Sequence, residues 1–287
     1  MSASAPPTKS LTMDSFEPIS IVRELGMPEL VLGGLSESWL LKQCGDQHWR
    51  LLARLCGSSP EALADSLGNR LYPSVLACSL GGGGLHSFAE GAKVTITSRM
   101  EVVHLSRAVS LHEIVQNRPD AGVAVTILSQ LVRRVDSNAR LVRGDTNSTQ
   151  LPPEFGDMAA HALHQERMKA SAEALSASHS APEVSAVFEP CPSADFNGVG
   201  LFYFAQYPEV VDRMEWSCRR ALRCTPVATL SRSTFYYGNL DPGDSVRIEL
   251  RDVSVSADGL LHVARVFRQS DDALICQATT RKICKTE

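Results

Sequence analysis

The chain has 287 residues, 44% of them hydrophobic and 21% charged, with a formal net charge of -4. That is the composition of an ordinary globular protein with room for two cores of roughly 100 to 150 residues each. It excludes the overall basic character that binds nucleic acid or an anionic membrane. The N-terminus has no apolar signal-type core and no run approaches about 18 apolar residues, so the sequence predicts a cytoplasmic protein without a membrane span. Eight cysteines (44, 56, 78, 191, 218, 224, 276 and 284) form no C-x-x-C pair. In a chain too large to need staples they are expected to be reduced, buried thiols.

Residues 1–18, rich in Ser, Ala, Thr and Pro, read as a disordered lead-in. Pro-Glu-Leu-Val-Leu-Gly-Gly-Leu-Ser (28–36) is extended and ends in glycines and a capping-type serine, which announces a helix. The spacing of Trp39, Leu40, Leu41, Cys44, His48, Leu51, Leu52 and Leu55 predicts that helix over 38–56, with Gly57 and Pro60 ending it. Strands are predicted at 72–78, 93–104 and 123–135, and Gly81 to Gly84 as a mobile hairpin loop.

Residues 143–185 break the pattern as a linker or excursion, polar at first and then helix-prone but weakly apolar over 159–177. A second helix is predicted over 199–222, followed by strands at 228–237, 244–255, 260–269 and 273–283. Gly-Gly-Leu-Ser-Glu-Ser-Trp-Leu-Leu-Lys (33–42) can be laid over Asn-Gly-Val-Gly-Leu-Phe-Tyr-Phe-Ala-Gln (197–206). Strand, long buried helix and antiparallel run thus occur twice. The expected fold is α+β, a double hot-dog of two antiparallel sheets, each wrapped around a long central helix, with units at 19–142 and 186–287.

Asp-Phe-Asn-Gly-Val-Gly (195–200) resembles the D-x-D-x-x-G opening of a hot-dog thioesterase, with Asn197 where the second, catalytic acid is expected. Together with Gly33 to Lys42, Gly45-Asp46, His48-Trp49 and Asn-Arg-Leu-Tyr (69–72), it is similar to the double-hot-dog acyltransferase/decarboxylase family of polyketide biosynthesis. The resemblance implies an enzyme that decarboxylates malonyl- or methylmalonyl-CoA and passes the acyl group to an acyl carrier protein. It implies no cofactor beyond the coenzyme A thioester substrate, and it marks Tyr72 as the active-site residue. It leaves a homodimer open and does not reach the segment 143–185.

A phenol is a poor nucleophile at neutral pH, so acylation of Tyr72 would need a nearby cation. Arg70, two residues away on a predicted strand, shares its face and could stabilise a phenolate or hold a substrate carboxylate. The plain alternative for Tyr72 is a core side chain. Asn197 could donate to an oxyanion while backbone amides near Val199 and Gly200, at the predicted helix start, complete the hole; it could equally be a helix cap. Gly198 and Gly200 would let a thioester approach the backbone or merely permit the turn.

Ser36 is expected to cap the first helix, or to bind the substrate carboxylate or thioester. Glu37 is expected to complement the helix dipole, or to supply the base missing from the second unit. His48 and Trp49 read mainly as packing within the first helix, the alternative being contact with substrate. Arg219, Arg220 and Arg223 read as a solvated face. Phosphate-loop, serine-hydrolase-elbow and helical zinc motifs are absent from the sequence. Three functions compete: a decarboxylating acyltransferase, a hot-dog thioesterase, and a non-catalytic acyl-binding module.

Overall fold

The computed structural model describes residues 17–104, 107–116, 122–144, 158–176, 181–257 and 259–286; most of the expected lead-in lies outside them. After β1 (Ile19–Glu24), a two-stranded turn of β2 (Leu30–Val31) and β3 (Gly34–Leu35) leads into helix α1 (Glu37–Leu55). Ser36, in extended backbone, caps that helix by accepting the Trp39 N–H at 3.2 Å. Four strands follow: β4 (Tyr72–Gly82), β5 (Lys93–His104), β6 (Arg107–Gln116) and β7 (Gly122–Arg134), with a short β8 (Leu141–Arg143). Helix α2 (Met158–Ser176) then separates them from β9 (Val184–Phe188) and the single-turn α3 (Pro192–Asp195). The second run is helix α4 (Gln206–Leu222) and strands β10 (Cys224–Tyr236), β11 (Val246–Ser256), β12 (Gly259–Arg268) and β13 (Ala273–Thr286).

Two separate sheets were expected, and here the structure differs. Eleven antiparallel strands form one sheet in the order β1-β5-β6-β7-β4-β10-β13-β12-β11-β9, with β8 added to β7. The seam is β4 against β10, where Ala77 pairs Phe235 and Leu80 pairs Arg232. Joining there gives two inner edges backbone partners that neither half could supply alone. The element order is the same outward from the seam on both sides. α1 packs against β5, β6 and β7, and α4 against β9, β10 and β11. Their apolar stripes, among them Leu40, Leu41 and Cys44 of α1 and Tyr207, Val210, Val211 and Met214 of α4, meet in one shared core.

Besides the three-residue β8, three strands were not anticipated. β1 and β9 are edge strands in which no residue is fully buried, so they lack a strong apolar signal. β6 buries Ser110 and His112 where an apolar residue would have signalled a strand. The second helix also starts later than expected, at Gln206 rather than 199, because the preceding residues form a closed loop and Gly200 has a left-handed φ of +74°. Not all thiols are free. Cys224 and Cys284, on the paired strands β10 and β13, are joined in a disulfide, with Cα atoms 5.9 Å apart. Sequence spacing could not show that two cysteines 60 residues apart would meet across a ladder.

Candidate active site

A cavity of about 280 Å³ opens where α1, the β4–β7 strand pair, the loop before α4 and the residues after β10 converge. One wall comes from α1, where Gly45, His48 and Trp49 face inward. Glycine in a helix interior costs about 1 kcal/mol relative to alanine. At position 45 it is required by a neighbour, since a Cβ there would lie 2.7 Å from the Tyr203 hydroxyl and 2.8 Å from the Phe204 ring. The opposite wall is the 197–204 loop, closed by a Phe196–Phe202 bridge.

Asn197 organises that loop from within. Its Oδ1 accepts the N–H groups of Val199 at 3.1 Å and Leu201 at 3.0 Å, and its carbonyl accepts Gly200 N–H at 2.8 Å. The expected oxyanion hole of Val199 and Gly200 amides is therefore corrected: both N–H groups are already used inside the loop, and no helix starts there. With Oδ1 held by two donors, the Asn197 Nδ2 amide is turned the other way, and Asn197 lines the cavity. Two further asparagines fix the loop from outside. Asn239 makes paired bonds with the Phe202 backbone at 2.9 and 3.0 Å, and Asn138 Nδ2 donates to the carbonyls of Gly200 and Leu240 at 2.5 and 2.7 Å. Asp195 accepts the Cys191 N–H at 2.7 Å and so braces α3.

Tyr72 sits half-buried beside the cavity rather than in its core. It pairs with Val132, which pairs with Arg143, so the three side chains share one face of the sheet, and the latter two line the cavity. The Tyr72 ring meets Trp49 edge-on at 6.3 Å, and two guanidinium groups approach it, Arg70 at 5.4 Å and Arg134 at 5.8 Å. Arg134 also donates to the Val199 carbonyl at 2.5 Å, which couples Tyr72 to the Asn197 loop. Trp49 Nε1 and Arg134 Nε are buried donors that lack a hydrogen-bond acceptor among the described residues. The structure thus links Tyr72 and Arg70, through Arg134, to the loop of Asn197 and Val199; of these four only Asn197 lines the cavity, and Arg70 is exposed. Gly198 is exposed on the outside of the loop. Ser36 stands apart from the cavity lining, engaged as the α1 cap.

Among the described residues the lining contains no aspartate or glutamate. Glu37, expected as a substitute base, points elsewhere. It is buried, accepts from Thr229 Oγ1 and from Arg232, each at 2.9 Å, and belongs to a charged cluster under α4. In that cluster Arg232 also meets Asp212 at 2.5 Å, Lys282 contacts Asp212 and Glu215 at 2.6 Å each, and His262 contacts Glu215 at 2.8 Å. Burial raises the Glu37 carboxyl against the pull of Arg232. The one histidine in the cavity wall is held neutral. His48 binds Ser110 at 2.6 Å and Ser129 at 2.7 Å through its two ring nitrogens, and burial lowers its pKa to about 3. Among the described residues no cluster of His, Cys, Asp and Glu could hold a metal ion, and no helix is long and apolar enough to cross a membrane.

This fold is shared with solved hot-dog proteins described as thioesterases. The 12:0-ACP thioesterase from Umbellularia californica superposes with a TM-score of 0.62 at 11% identity, covering 93% of this chain and 94% of that one. A Lactobacillus plantarum protein described as an oleoyl thioesterase gives 0.64 at 13% identity over 95% and 98% of the two chains. An acyl-ACP thioesterase from Bacteroides thetaiotaomicron gives 0.58 at 10% identity over 94% and 98%. At such identities the likeness establishes the fold. No protein-family profile and no curated protein matches the sequence.

Arg134, Asn138, Arg167, Tyr237 and Asn239 contribute to the site or its support without having been singled out for that role. His48-Trp49 did carry a usable signal, a polar–aromatic pair on an otherwise apolar helix stripe.

Proposed function

We propose that the chain is a double hot-dog enzyme of acyl thioesters, with units at 19–142 and 186–287 joined by the segment 143–185, and that it decarboxylates malonyl- or methylmalonyl-CoA and transfers the acyl group to an acyl carrier protein. The observation that carries this reading is a cavity with hydrogen-bond donors but no carboxylate in its described lining. Hydrolysis needs a base to activate water. A histidine with a pKa near 3 and both nitrogens engaged is poorly suited to that task. Decarboxylation needs no base: the electron pair of the breaking C–C bond moves into the thioester, and the enolate oxygen must be stabilised as carbon dioxide leaves. Asn197 Nδ2 supplies a neutral donor for that oxygen. A proton from water then converts the enolate into the acyl thioester; Tyr72, approached by Arg70 and Arg134, takes the acyl group as coenzyme A leaves as the thiol with the phenolic proton, or holds the enolate by a hydrogen bond. The carrier thiol is the final acceptor.

Hydrolysis of an acyl thioester is the second reading, favoured by the fold shared with three solved proteins described as thioesterases. One experiment separates the two. The purified chain is incubated with malonyl-CoA, methylmalonyl-CoA and a plain acyl-CoA, with and without carrier protein, and products are weighed. Carbon dioxide release with acylated carrier supports the first reading. Free acid and coenzyme A, without carbon dioxide or acylated carrier, establish the second.

A further inference from the structure

We propose that Arg167 and Tyr237 form an anion subsite where α2 meets the cavity, and that it binds the free carboxylate of a carboxyacyl thioester. The proposal rests on reading the cavity as an acyl-thioester site. It assigns a substrate-recognising role to a helix from the segment that looks, in sequence, like a linker.

Helix α2 lies on the outer face of the β4–β10 seam, burying Leu163 and Ala170 against Ala77, Val109, Leu128 and Phe235. Arg167 is four residues after Leu163 and three before Ala170, so it lies on the same stripe, half-buried. A guanidinium in an apolar stripe requires a physical reason. Part of the reason is structural: Nε donates to the Leu76 carbonyl at 3.1 Å, and Nη2 donates to the Tyr236 carbonyl at 2.9 Å. Leu76 is the bulged residue of β4, so Arg167 ties α2 to an irregularity in the ladder.

Those bonds leave the Nη1 edge of the cation and its charge unmatched. Among the described residues no carboxylate pairs with Arg167. Burial lowers its pKa, and the nearby groups acting on it are Tyr237 and Arg107. An arginine remains protonated under such conditions. The guanidinium stands 4.9 Å over the Tyr237 ring, and both residues line the cavity. The Tyr237 hydroxyl is buried with no hydrogen-bond partner among the described residues, and burial raises its pKa to about 12, so it is a phenol with a proton to donate. A cation with no paired carboxylate and a hydroxyl with no acceptor, among the described residues, thus line one cavity.

A carboxylate fits both, with one oxygen toward Nη1 and the other toward the hydroxyl. The acyl end of a thioester is the part that enters such a cavity, so the anion recognised is the acyl group's own carboxylate rather than a coenzyme phosphate. This contact is made with the substrate and lost as carbon dioxide departs. It therefore strengthens ground-state binding and selects the substrate rather than accelerating the bond-breaking step.

The test is calorimetric titration of the full chain with two uncleavable coenzyme A analogues, one malonyl and one acetyl, in which a methylene replaces the thioester carbonyl, so that neither hydrolysis nor decarboxylation can occur. The wild-type protein should bind the malonyl analogue at least about 10-fold more tightly than the acetyl analogue. Arg167→Met and Tyr237→Phe should each erode that preference. In turnover, Arg167→Met should raise KM for malonyl-CoA with kcat little changed. If Arg167→Met fails to fold because α2 is no longer tied down, Tyr237→Phe decides, since it leaves both carbonyl bonds of Arg167 in place. Equal wild-type affinity for the two analogues, or an undiminished preference in the folded variants, overturns the subsite while leaving the acyl-thioester reading standing. Failure of the wild type to bind either analogue overturns both.

Discussion

Arg134 approaches the Tyr72 ring at 5.8 Å and, from the same guanidinium, donates to the carbonyl of Val199 at 2.5 Å. A strand end from the first half of the chain is thereby fastened to the loop that precedes the second helix. With Arg70 5.4 Å from the same ring, two cations lie near the phenol, which is the electrostatic help its chemistry would require. Tyr72→Phe removes one oxygen and keeps the ring contacts with Trp49, Arg70 and Arg134. Stability should change by about 1 kcal/mol in a denaturant titration. If Tyr72 carries the acyl group, carrier acylation disappears; if it only donates to the enolate, decarboxylation slows and transfer continues at a reduced rate. Undiminished carrier acylation by the folded variant would remove Tyr72 from the mechanism.

Asn197 is expected to affect stability and rate together. Asn197→Ala deletes the acceptor for Val199 and Leu201 and should destabilise the protein by about 1 to 3 kcal/mol. It also deletes the Nδ2 donor, which should slow turnover roughly 10- to 1,000-fold. Asn197→Asp retains the acceptors but not the donor. It should restore most of the melting temperature while leaving the rate low. Recovery of carbon dioxide release and carrier acylation along with stability, as distinct from any hydrolysis started by the new carboxylate, would show that Asn197 acts only through the loop.

Glu37→Gln tests the rival base. Breaking one partner of a buried ion pair costs about 3 to 5 kcal/mol, and Arg232 would keep Asp212 but lose the Glu37 carboxylate. The variant should melt earlier yet turn over substrate normally at a temperature where it remains folded. Abolished turnover in a folded sample would place Glu37 in the chemistry.

The buried histidines should make the fold acid-sensitive. Burial lowers the pKa of His48 to about 3, and burial followed by the repulsion of His48 lowers that of His112 to about 3. An unfolded histidine titrates near 6.5. Between these values the unfolded chain binds more protons than the native one, so stability is full above about pH 6.5 and falls as pH drops toward 3. Each histidine adds a slope approaching 1.4 kcal/mol per pH unit. Denaturant titrations at pH 7, 6 and 5 should show a steeper loss for wild type than for His48→Gln. Parallel curves would mean that His48 is not held neutral in the native state.

The helical spacing of apolar residues located α1 and the body of α4, and the β-rich runs located most of the strands, because both patterns arise from burying one face of a local element. The loop from Asn197 to Ala205 escaped that reading. Its conformation is set by partners far away in sequence: Asn138, Asn239 and Arg134. The asparagine in Asp-Phe-Asn-Gly was legible as a site without a carboxylate, and so was the tyrosine in Asn-Arg-Leu-Tyr as the residue to explain. That Glu37 cannot replace the missing acid was not legible. It follows from Arg232, 195 positions away, arriving beside it on β10. Likewise, composition marked residues 159–177 as weakly apolar helix in a linker. Only packing decided that Arg167 of that helix would lie over Tyr237 at the cavity, since a contact between elements depends on how the sheet closes and not on the local sequence of either.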